Sequence, residues 1–165
     1  MKKRQWTASV DSKGKPVPPP VSTTLEALIW VHLSMTFFSY ILHDLLAEYD
    51  ASTKAAAADD KSGGGGSGNS ARRGKPPTED LVVFFRRAYE QTLAPHSTWL
   101  MNSLFEIILK GTPSRTQFLT VAMGSGPKNK LTEAEVFERM RAYLQLLEAN
   151  NAQVKRAITQ NGYSV

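Results

Sequence analysis

The sequence predicts an all-α protein. Three observations carry this. Apolar residues in 22–49, "STTLEALIWVHLSMTFFSYILHDLLAEY", recur at the three- and four-residue steps of a helix. The same periodicity returns after residue 77 and again after residue 132. No stretch keeps the strict alternation of a half-buried strand. "LVVFF" at 81–85 could be a strand by itself, but the acids before it and "RRAYEQTL" after it favour a helix.

Each element follows from its residues. Ser22, Thr23 and Thr24 supply an N-cap for the first helix. Its apolar positions are Leu25, Leu28, Ile29, Leu33, Phe37, Tyr40, Ile41, Leu45 and Leu46, with Glu26, His43, Asp44 and Glu48 between them. The expected length is about 27 residues, or about 40 Å at 1.5 Å per residue. Residues 51–77, "ASTKAAAADDKSGGGGSGNSARRGKPP", read as a flexible insertion, because glycine and serine bury too little apolar area to order a chain. Pro77-Thr78-Glu79-Asp80 then reads as a helix start with acids in the first turn, and Pro95 ends that helix. "STWLMNSLFEIILK" predicts a third helix stopped at Gly111, and "SRTQFLTVAM" a short fourth segment. Thr132-Glu133-Ala134-Glu135 is a capping box that opens the last helix, whose apolar residues include Val136, Phe137, Met140, Tyr143, Leu144, Leu147, Val154 and Ile158. The chain thus divides into a basic, proline-rich tail at 1–21, read as disordered, and a helical domain at 22–165 interrupted by 51–77.

Composition narrows the function. A length of 165 residues suits one domain. Without cysteine, stability rests on packing, and neither disulfides nor a thiolate-bound metal is available. No secretory signal is expected, because the basic start lacks an apolar stretch behind it. Glu26, His32, His43 and Asp44 interrupt the most apolar run, so a soluble, cytoplasmic protein is expected. The net charge of +5 gathers in residues 1–20 and 51–77, segments that read as unfolded. Such tails fit loose attraction to an anionic surface such as a membrane, or simple solubility, better than a nucleic-acid face.

Catalytic patterns are missing. His32, His43 and His96 lack partners at metal-ligand spacing, and "GSG" and "GGGG" lack the strand and lysine of a phosphate loop. A non-enzyme without cofactor or metal is expected. About 110 residues carry the helices, few to cover Phe37, Phe38, Phe84, Phe85, Phe105, Phe118 and Phe137, so part of the apolar face is expected to lack cover from this chain.

Three stretches together resemble the glycolipid transfer protein family: "LEALIWVHLSMTFF", "AYEQTLAPHSTWLMNSLFEIILKGTPSRTQFL" and the ending "QNGYSV". The resemblance covers residues 22–50 and 78–165. It implies a two-layer helical sandwich that takes one sphingolipid from a membrane, keeps its hydrocarbon chains between the layers and its headgroup at the surface, and works as a monomer in transient membrane contact. By this resemblance Trp30 stacks on a headgroup sugar, with Tyr163 and Val165 near it. His96 is the family's headgroup histidine only if the turn at Pro95 shifts the register, since it stands one residue too far from Trp99. Phe37, Ile41, Leu93, Phe105, Ile108, Phe118 and Tyr143 line the hydrocarbon pocket, and Trp99 docks on membranes. Residues 22–50 hold no arginine, which favours a sugar or neutral headgroup over a phosphate. Upstream of Trp30 the family's headgroup trio of Asp, Asn and Lys has no counterpart, so half of the sandwich is without a match. Read without the resemblance, Trp30 and the phenylalanines are core residues, and the stripe 25–46 is the docking face of a helical interaction module or the uncovered face of a truncated fragment.

Overall fold

The computed structural model describes Lys13 and residues 23–61, 77–124 and 130–163, with side chains of 59–61 set aside. Among these are α1 (Thr23–Lys61), α2 (Val82–Thr92), a 3₁₀ turn (Ala94–His96), α3 (Trp99–Leu109), α4 (Arg115–Met123) and α5 (Glu133–Gln160). No strand occurs among the described residues; Asp80 and Ser114 form an isolated antiparallel bridge. The all-α expectation holds. The tail 1–21, save exposed Lys13, and residues 62–76 of the insertion lie outside the described residues.

The first helix corrects the sequence reading. It spans 39 residues rather than about 27 and carries residues 51–61, read above as insertion, as continuous helix. Alanine is the strongest helix former, so "KAAAA" at 54–58 prolongs the helix until the glycine run begins. Ser52 and Thr53 return their hydroxyls to the Tyr49 carbonyl, at 2.8 and 3.1 Å, and thus stay inside the helix. By length and composition alone α1 could cross a membrane. Its buried side chains instead serve two neighbours, since it packs on both α2 and α5.

Of the two acids before α2, Asp80 accepts from the Val82 N–H at 3.0 Å at the start of that helix, whereas Glu79 acts elsewhere than expected. Both precede its first turn, which holds none. The Glu79 carboxylate accepts from the Thr116 N–H (3.1 Å) and hydroxyl (3.2 Å), and the Glu79 carbonyl accepts from the Arg115 N–H (2.8 Å). Glu79 therefore satisfies the open amides at the start of α4 and complements its dipole. The Thr116 backbone amide, then the Ser114 and Thr116 side chains, hold its carboxyl below the usual carboxylate value. Ser114 and Gln117 close a capping box on the same helix. The predicted box on α5 is present: the Glu135 carboxylate accepts from the Thr132 N–H at 2.8 Å, and Thr132 Oγ1 accepts from the Glu135 N–H at 3.3 Å.

The core lies where α1, α2 and α5 meet. Phe37, Ile41, Leu45 and Leu46 of α1 pack with Leu81, Phe84, Ala88 and Tyr89, with Leu119 of α4, and with Val136, Phe137, Met140 and Leu144 of α5. Phe137 is its most enclosed ring, stacked on Tyr49 at 3.9 Å with the Arg115 guanidinium 5.4 Å from its centroid. Buried Arg115 donates to Glu48 at 3.2 Å and has Glu133 at 3.8 Å, which fastens α4 to α1 and α5.

Candidate functional site

Two surfaces stand out. The first is apolar. In α3, Trp99, Leu100, Met101, Leu104, Ile107 and Ile108 are exposed, and Leu109 alone is buried. Phe105 anchors this helix from its inner side. It stacks on Tyr89 at 3.7 Å and meets Phe37 edge-on at 6.1 Å. The Tyr89 hydroxyl donates to Asn102 at 2.6 Å, which fixes α3 to α2 beside the stacked rings. Phe37 in turn touches Phe38 at 5.3 Å, and Phe38 is 53% exposed. An aromatic floor from α1 to α3 thus continues into an uncovered apolar helix, the kind of patch that a soluble monomer rarely leaves open without purpose.

The second surface is a polar groove of about 530 Å³ between α1 and α5. His32, Thr36, Ser39, Tyr40 and His43 line one wall, and Glu148, Asn151, Ala152 and Lys155 the other. The Thr36 hydroxyl donates to the His32 carbonyl (2.8 Å), so its oxygen accepts from the Asn151 amide (2.9 Å). That leaves the Asn151 oxygen facing His32 Nδ1 at 2.6 Å, and Nδ1 must carry the hydrogen. Nε2 is then the ring nitrogen left for another partner. His43 Nε2 sits 2.7 Å from the Glu148 carboxylate. No group of three acidic, histidine or cysteine side chains among the described residues is placed to hold a metal ion.

The residues singled out from the sequence divide among these places. Phe37 and Ile41 are buried in the core, and Leu93, Phe105 and Phe118 pack partly buried against it. Phe105 also borders a depression of about 320 Å³ with Tyr89, Ala94 and Asn102. Ile108 is 65% exposed on α3 and Tyr143 59% exposed on α5. Ring contacts join Phe37 and Phe105, but among the described residues none joins Tyr143 to them. Trp30 is half-buried on α1, Tyr163 is half-buried beyond α5, and His96 is exposed in the 3₁₀ turn. Val165 lies outside the described residues. Trp99, at 78%, is among the most exposed apolar side chains.

The groove has a signal in the sequence that the apolar period masks. His32, Thr36, Ser39, Tyr40 and His43 form a polar stripe at helical spacing through the most apolar helix, and Glu148, Asn151 and Lys155 form another.

The fold and the uncovered face define an all-α protein with an apolar surface larger than its own core needs. The family model of the glycolipid transfer protein (GLTP) matches residues 7–124, well over half of the chain. The chain belongs to the glycolipid transfer protein family. The match begins within the stretch read as a tail and ends before α5, so it reaches further upstream than the resemblance drawn from residues 22–50, and "QNGYSV" lies beyond it. No curated protein and no solved structure matches the chain.

Proposed function

We propose that the protein binds a sphingolipid with a sugar or other neutral headgroup and moves it between membranes without chemical change. Membership in the glycolipid transfer protein family supports this class of ligand. The observation that carries the reading is the continuity of the Phe37–Phe38–Phe105 floor with the exposed face of α3. Hydrocarbon laid on that face gains roughly 0.8 kcal/mol per CH₂ removed from water, enough for a long acyl chain to be held without any catalytic group.

In this reading Phe37, Ile41, Leu93, Phe105, Ile108, Phe118 and Tyr143 contribute the hydrocarbon contacts. Trp30 stacks on the headgroup, assisted by Tyr163, Val165 and His96. Trp99 enters the membrane surface during a transient encounter. The carrier is a cytoplasmic monomer without nucleic-acid partners.

Native mass spectrometry of the chain after incubation with mixed lipid vesicles tests this. One bound glycosylceramide per monomer, lost in Trp30→Ala, supports the reading. A lipid-free monomer sinks it. A lipid-free dimer that hides the α3 face instead favours a helical interaction module, the reading that the same exposed residues support next best.

A further inference from the structure

We infer that the groove between α1 and α5 is a second ligand site, built for a neutral, hydroxyl-rich molecule of the saccharide class. Successive helical residues are about 100° apart, so His32 lies about 200° around α1 from Trp30. The groove therefore faces away from the Trp30 side, and one headgroup stacked on Trp30 does not also fill it.

Four features select this chemistry. The size, about 530 Å³, lies within the range of small-molecule sites and suits one or two sugar rings. The fixed charges of the lining balance, Glu148 opposing Lys155, so neither an anion nor a cation is strongly favoured. The lining offers both donors and acceptors, as hydroxyl groups require: Glu148 accepts, Lys155 donates, and the Tyr40 hydroxyl does either. Tyr40 is 41% exposed, which leaves apolar ring surface against which the C–H face of a sugar can pack.

The site is also prebuilt. His32 is 8% exposed, and its ring is held in one tautomer by the Asn151–Thr36 chain. A ring fixed before the ligand arrives spares the entropy of ordering it on binding.

The test uses the full chain, titrated with methyl β-lactoside while the imidazole resonances of His32 and His43 are followed by NMR. Both rings should shift along one saturable curve. Lys155→Ala with Tyr40→Leu, both solvent-exposed positions, should weaken that curve about tenfold and leave the thermal melt in place. Phosphatidylcholine vesicles carrying lactosylceramide identify the source of the sugar. Shifts of the same rings on vesicles but not with free lactoside assign a lipid-borne saccharide, and shifts with lactoside assign a free one. Trp30→Ala should leave the lactoside curve unchanged while abolishing lipid capture, so the two sites can fail separately. The inference is overturned if neither probe shifts the rings up to about 50 mM sugar, or if the double variant binds as well as the parent.

Discussion

Ile108→Ala separates a ligand-facing residue from a core residue. The change removes three carbons, worth about 2.4 kcal/mol if all were transferred from water to an apolar site. Ile108 is 65% exposed in the free protein, so about a third of that sum is already spent in folding. The variant should therefore lose no more than about 0.8 kcal/mol of stability, while about 1.6 kcal/mol remains available to a hydrocarbon ligand. The latter is a loss of lipid affinity somewhat above tenfold. Two assays read the two parts: urea unfolding followed by circular dichroism, and transfer of a fluorescent glucosylceramide between donor and acceptor vesicles. Stability lost by 2 kcal/mol or more, or transfer at the parent rate, would refute the assignment of this face to lipid.

Three further outcomes bear on the fold. Phe137→Ala should cost about 3–5 kcal/mol in urea unfolding, because it removes the most enclosed ring of the core and its stack on Tyr49. Arg115→Ala should cost about 3 kcal/mol, since Glu48 keeps its partly buried charge without the cation that neutralises it, and a cost under 1 kcal/mol would show that Arg115 is not the fastening of α4. The Thr132 amide, then its hydroxyl, hold the Glu135 carboxyl below its ordinary value of 4.5. A depressed folded value means stability that is complete above pH 4.5 and drains away as pH falls through the lowered value. Acid titration of the melting temperature should show that loss in the parent and less of it in Glu135→Gln, which keeps the capping geometry without the titration.

Much of the fold was legible because its causes are local. Thr132 and Glu135 announce a helix start by spacing alone, and the heptad-like run from Leu25 to Leu46 announces a helix by period alone. The end of α1 was missed for an equally local reason. Taken as one composition, residues 51–77 blend the alanines of 54–58 with glycines that begin only at residue 63. Glu79 stands beside α2 in sequence but serves α4, because its partner Thr116 lies 37 positions away. The site was less legible. Exposure of Ile108 and burial of Ile41 are decided by which helices lie over them, and both are isoleucines on apolar stripes. The His32–Asn151 contact spans 119 positions, and only the packing of α1 on α5 creates it.

That packing also has a consequence for biosynthesis. α1 is complete at Lys61, yet α5, which packs along it, ends at Gln160. At about 5–20 residues per second, the ribosome needs roughly 5–20 s to add the intervening chain. Through that interval the nascent polypeptide displays the apolar flank of a 39-residue helix with its later partner still unmade. A chaperone that recognises such flanks should crosslink to α1 in stalled chains ending before residue 133, and release it once α5 has emerged.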